Sequence, residues 1–262
     1  MEIPAEIVAD ILEHHGVKGM HWGVRKQFNT SVATPSSSSK VKGSEHFSKE
    51  QAASMNNIAK KMNKAYGFKV DEFVPLTARE EGQYLGYVKG KGSGSNDIHV
   101  STNPGLKDVL VECQKAGWFA QANHDKVIEA CLTHEASHGM FHQVNPGDAG
   151  IIGTLRTQAP IEPMRKSAWD AAKAQGVKDG DIAPNTGFRR ITGLPLDRQI
   201  SKKTSRYAGS SLFIEESEAE MFTAYHWSDN PPKFVDAFMT DIHTSMGKSV
   251  QPFSGRKVSN AS

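Results

Sequence analysis

A chain of 262 residues is long enough for one catalytic-sized domain plus an appendage, while an apolar fraction of 37% leaves room for linker. With 31 basic and 29 acidic residues the formal net charge is +2, which exerts no overall pull toward nucleic acid or a membrane. No apolar run reaches membrane-spanning length, the N-terminal stretch lacks the pattern of a signal peptide, and Cys113 and Cys131 make no disulfide framework, so the expectation is a reducing compartment.

Residues 3–14 place Ile3, Ile7, Val8, Ile11 and Leu12 on one helical stripe. The next stretch, HHGVKGMHWGVRK at 14–26, alternates glycine punctuation with Val17, Met20, Trp22 and Val24, and reads as a turn-rich docking peptide. It resembles the HYGVKGMKWGVRK-type element of head and portal-associated proteins of tailed phages. That resemblance implies phage head or portal proteins as partners of residues 1–26. The plainer reading is a basic, turn-forming tail. Lys18, Arg25, Lys26 and Lys40 are too few and too scattered to make a nucleic-acid stripe.

Residues 27–46, rich in Ser and Gly, read as a flexible linker, 47–248 as the catalytic domain, and 249–262 as a loose tail. Within the domain, Ala52, Met55, Ile58, Ala59 and Met62 mark a helix over 48–66. Extended pieces follow at 68–76, 82–90 and 97–102, the last two joined by a glycine-rich hairpin tip. That tip lacks the Lys-Ser or Lys-Thr ending of a phosphate loop. Pro104 and Gly105 open another helix, and Asn123 is placed to cap the one after it.

That next helix carries CLTHEASHGMFH, residues 131–142. His134 and His138 stand one turn apart on one face, so two imidazoles can address one divalent ion. Glu135 lies about 100° round the axis, where its carboxylate reaches a water on that ion. Two nitrogen ligands, a base and an open coordination position make the zinc-peptidase pattern HExxH. A surface helix with two ordinary histidines is the plainer alternative. Gly139 leaves room for a neighbouring backbone near the metal. His142, about 12 Å along the helix from His134, fits a place in the pocket wall or behind the ligands.

Residues 145–160 read as loop, 161–175 as helix, and 177–206 as irregular and basic, a stretch suited to an acidic substrate or to plain solvation. In 207–226 Glu216 and Glu220 are four apart, so a second helix can offer Glu216 as third ligand while Glu220 orients a ligand histidine from behind. Glu218 points about 200° away from Glu216 and cannot share its role. Glu215 lacks an i+4 carboxylate partner. Phe234, Phe238, Ile242 and Met246 form the packing stripe of a last helix over 231–246.

HEASH followed far downstream by Tyr207-Ala208 and ESEAEMF resembles the Glu-ligand zinc peptidases, the gluzincins, in the group that includes the anthrax lethal factor catalytic domain. The resemblance covers roughly residues 65–246. It implies an α+β, zincin-like fold, a Zn2+ cofactor held by His134, His138 and Glu216, and Tyr207 as an oxyanion-stabilising hydroxyl. It also implies that Ile98, His99, Val100 and Ser101 form the sheet edge on which a polypeptide substrate lies. The function so implied is a zinc metalloendopeptidase, acting in the host cytoplasm during phage assembly or carried in the virion. The competing classes are a phage structural protein with a degenerate or structural metal site, and a nuclease using the same ion.

Overall fold

Ser48 opens the first long helix with a reciprocal cap: its Oγ accepts from Gln51 N–H (3.3 Å) and its own N–H donates to Gln51 Oε1 (3.1 Å). Helix α1 (Lys49–Tyr66) follows, with Met55, Ile58, Ala59, Met62 and Tyr66 buried at helical spacing. The computed structural model describes residues 41–81, 85–90, 96–144, 162–183, 196–210 and 214–258, with the side chains of Lys89, Gly90, 142–144, 162–163 and Ser210 also left out. The expected helix at 3–14, the docking element and most of the linker lie outside the described residues. So do the 145–160 loop, Arg189 and Arg190.

A three-stranded sheet comes next, from β1 (Glu72–Pro75), β2 (Gly86–Gly90) and β3 (Asn96–Val100), with a short helix α2 (Ala78–Glu81) between β1 and β2. The order is β1-β3-β2: β3 pairs parallel with β1 (Phe73 opposite Ile98) and antiparallel with β2 (Val88 opposite Ile98). The hairpin is as expected. The edge is not. Ile98, His99 and Val100 lie in the central strand, whose backbone groups are engaged on both sides, so no substrate strand can add to them. Ser101, just past it, is buried, and its hydroxyl donates to Glu81. The edge beside the HExxH helix is β2, which has no outer partner among the described residues.

The rest is helical: α3 (Leu106–Lys115), α4 (Val127–Val144), α5 (Glu162–Lys178), α6 (Leu196–Thr204), α7 (Arg206–Ser210), α8 (Ile214–Trp227) and α9 (Lys233–Ser245). The architecture is α+β, mostly helical with one small sheet. No described helix is long and apolar enough to cross a membrane. Helix α4 packs between α1, α3, the sheet and α8, while α9 covers α8 and α5. Phe68, Phe73, Phe222, Phe234 and Phe238 are fully buried in the resulting core. Each contributes about 1.5–3 kcal/mol of apolar burial.

Three expected boundaries are corrected. The end of the linker is structured: Lys42 C=O accepts from Phe73 N–H (2.9 Å) and Val41 N–H donates to Asn56 Oδ1 (2.8 Å). Within the supposedly irregular 177–206, α6 buries Ile200 and joins Ser201 Oγ to Ser217 Oγ at 2.7 Å. The tail is not loose as far as residue 258. Phe253 stacks on His226 at 3.7 Å, Tyr225 donates to Val250 C=O (2.8 Å), and Arg256 grips Asp236 with two bonds of 2.7 and 3.0 Å. These anchors are single residues without periodicity, which a pattern search over a short tail passes by.

Candidate metal centre

Asn123 Oδ1 accepts from Asp125 N–H (3.0 Å) and caps a 3-10 turn that runs directly into α4. Around the motif, Leu132, Thr133, Ala136, Ser137 and Met140 are buried, so the helix is anchored on several sides rather than lying on the surface. Thr133 Oγ1 accepts from Trp227 Nε1–H at 2.8 Å, fixing α4 against α8 one residue before His134. Gly139 makes space, but for Phe68 rather than for backbone near the metal: a Cβ there would sit 2.6 Å from that ring.

Helix α8 is buried along its length from Glu216 to Trp227, three carboxylates included. Each carboxylate has its own partners. Glu216 faces α4, with Oε2 3.3 Å from His134 Nε2 and 3.4 Å from His138 Nε2. Glu220, one turn on, lies 2.9 Å from His134 Nδ1, off the ring N–H axis, and accepts from Ala120 N–H at 2.6 Å. Glu218 points elsewhere, as helical geometry requires. It accepts from Arg165 Nε (2.8 Å) and Trp169 Nε1 (2.9 Å) on α5. That buried pair was not foreseen; an acidic residue inside ESEAEMF gave no sign of its partner. Glu215 is half-buried and turned toward Arg165 (3.8 Å).

The His134 and His138 Nε2 atoms are 3.3 Å apart. The three donor atoms therefore form a nearly equilateral triangle with edges of 3.3, 3.3 and 3.4 Å. Around a tetrahedral zinc with bonds of about 2.0–2.1 Å, neighbouring donors stand about 3.3–3.4 Å apart. The triangle matches one face of that tetrahedron. The chemistry of the donor set, two imidazoles and one carboxylate, suits the same ion. His134 and Glu216 are buried, whereas His138 and Glu135 keep partial solvent access, which leaves one side of the triangle approachable.

Glu135 extends from α4 toward β2. A Cβ on Gly86 would meet its Cγ at 3.4 Å and its Oε1 at 3.7 Å, so the missing side chain leaves that carboxylate its space beside the edge strand. Burial raises the Glu135 pKa above the usual carboxylate value, helped by Glu216 and Glu220 and opposed by the two histidines. Burial acts to lower His134 and His138, but the adjoining carboxylates outweigh it and raise both. Burial also works against ionised Glu216, yet the histidines hold its pKa well below the usual range. Metal ligation needs neutral imidazoles, so a bound cation would replace their protons as the countercharge to Glu216.

Tyr207 in α7 reaches the same place. Its ring centroid is 6.0 Å from that of His134, and its hydroxyl lies within the influence of the Glu216 carboxylate. Burial, with Glu216 and Glu135 nearby, pushes its pKa well above 10, so the phenol keeps its proton. Arg206 N–H donates to Gly117 C=O (2.9 Å) and Tyr207 N–H to Trp118 C=O (3.1 Å), which fixes α7 to the segment after α3. The structure thus brings His134, Glu135, His138, Tyr207, Glu216 and Glu220 together. It leaves Ile98, His99, Val100 and Ser101 in or just beyond a paired central strand, with His99 stacked on Tyr87 (4.4 Å). The backbone of His142 lies in α4, and its side chain falls outside the described residues.

Residues 5–28 match a family of unknown function (DUF7211), a segment that lies outside the described residues. No curated protein and no solved structure matches the chain.

Proposed function

We propose that this chain is a zinc-dependent endopeptidase with a zincin-like, Glu-ligand centre. The observation that carries the reading is the triangle of His134 Nε2, His138 Nε2 and Glu216 Oε2, with edges of 3.3–3.4 Å. Glu135 and Tyr207 flanking the same three donors support hydrolysis rather than a purely structural ion, and a structural zinc is normally closed by four protein ligands.

A zinc ion held there supplies Lewis-acid polarisation and lowers the pKa of water to near neutrality. Glu135 takes the proton of the attacking water and then delivers it to the leaving amine. The Tyr207 hydroxyl, kept protonated, donates toward the carbonyl oxygen as charge develops on it. Glu220 holds the His134 ring from behind. An extended polypeptide adding to the outer edge of β2 would pass Gly86, beside the Glu135 carboxylate.

The test is metal content together with cleavage. Wild type should carry about one zinc per chain and cleave a casein-like substrate; Glu216→Ala should lose both. Stoichiometric zinc that survives in Glu216→Ala would overturn the ligand assignment, and inactive zinc-loaded wild type would favour a structural ion. The likeness of residues 14–26 to phage head and portal elements supports a second part of the proposal, attachment to such assemblies. Deleting residues 1–26 should then abolish co-sedimentation with phage heads and leave peptide cleavage intact.

A further inference from the structure

Next to Tyr207 lies an open pocket of about 400 Å3 lined by Trp118, Lys202, Arg206 and Gly209. Lys202 and Arg206 are exposed, and neither forms an ion pair among the described residues. The contrast with Arg165 and Arg256, each committed to a carboxylate, is direct. Two like charges share one concavity with the Trp118 ring, so an incoming anion meets both cations at once.

We propose that this pocket receives an acidic side chain of the polypeptide substrate and directs cleavage to sites flanked by Asp or Glu; the proposal rests on the peptidase reading above. The pocket and the chemistry share one frame. Arg206 immediately precedes Tyr207, and the pair is bonded through the backbone to Gly117 and Trp118 at 2.9 and 3.1 Å. The same segment donates Ala120 N–H to Glu220, behind the His134 ligand. An extended substrate advances about 3.3 Å per residue, so this pocket is assigned to a side chain a few residues from the reacting carbonyl.

The experiment uses the full zinc-loaded chain and matched peptides carrying Glu, Gln or Lys at each of four positions on either side of the cleaved bond. At one position wild type should prefer Glu over Gln by about fivefold in kcat/KM, the upper end for one exposed ion pair. The ratio should fall to near one in Lys202→Gln/Arg206→Gln and turn toward Lys in Lys202→Glu/Arg206→Glu. A misfolded variant would not produce that inversion. A second arm measures fluorescence anisotropy of the labelled Glu and Gln peptides on full-length Glu135→Gln, with and without the two pocket substitutions. Cleavage without acidic preference, or with a preference that survives charge reversal, overturns the pocket and leaves the peptidase reading standing. Glu-selective binding that depends on Lys202 and Arg206 without cleavage by wild type supports the pocket and overturns the peptidase reading.

Discussion

His134 Nδ1 and Glu220 Oε1 lie 2.9 Å apart, joining the ligand helix α4 to the helix that supplies the third donor. The second oxygen of Glu220 accepts from Ala120 N–H, which fixes the carboxylate beside the ring. A carboxylate fixed in this way orients the imidazole and raises its basicity toward a metal. Glu220→Gln should weaken zinc affinity about 10–100-fold. Competition against a chromogenic chelator measures it, and an unchanged affinity would remove Glu220 from the site.

Glu135 reaches from α4 toward Gly86 on β2. Glu135→Gln should keep zinc at wild-type stoichiometry while turnover drops at least about 10²–10⁴-fold. Parallel metal analysis and peptide cleavage decide it; a variant that remains fully active would end the general-base assignment.

On the proposed mechanism Tyr207→Phe removes a hydroxyl that donates as negative charge develops. The expected result is a fall in kcat of about 10²–10³-fold with KM nearly unchanged. A loss confined to KM would instead make Tyr207 a substrate-binding residue.

A second buried polar chain lies at the far end of α8. His226 Nδ1 accepts from Phe253 N–H (3.3 Å), so its Nε2 carries the proton and donates to Tyr66 Oη (2.7 Å). Tyr66 in turn donates to His243 Nε2 (2.9 Å). Burial, followed by the charge of Lys248, lowers His243 to about 4. Burial also lowers His226, with His243, Lys61 and Arg256 adding to the effect. Between pH 6.5 and 4 the unfolded chain binds a proton at His243 that the folded protein does not. Its contribution is therefore complete above pH 6.5 and lost as pH falls toward 4, by at most about 3 kcal/mol. Urea midpoints across that window should fall in wild type and fall less steeply in His243→Gln, where His226 still titrates; a pH-independent wild type contradicts the arrangement.

The Arg165–Glu218 pair ties α5 to α8, with Glu218 only 1% exposed. Arg165→Ala strands that carboxylate and should cost about 3–5 kcal/mol. Replacing both partners, Arg165→Met with Glu218→Leu, should recover most of the loss. Chemical denaturation of the two variants distinguishes pair removal from loss of packing.

Much of the centre was legible in the chain because helical spacing is a local property. His134 and His138, or Glu216 and Glu220, share a face wherever their helices go. The same argument separated Glu218 from Glu216 correctly, yet could not supply Arg165, because that partner comes from another helix. Tyr207 came from family likeness alone, and the structure sets its ring 6.0 Å from that of His134.

Strand order was the plainest failure. Alternation in residues 82–102 sufficed to read a hairpin, but which of its strands ends at the edge depends on β1, which pairs with β3 across a gap in sequence. Local patterns specify elements because backbone geometry repeats every few residues. Tertiary structure alone decided that β3 is central, that the tail is anchored at Phe253 and Arg256, and that three donors on two helices meet 3.3–3.4 Å apart. Those outcomes depend on the packing of distant segments, which no short-range periodicity encodes.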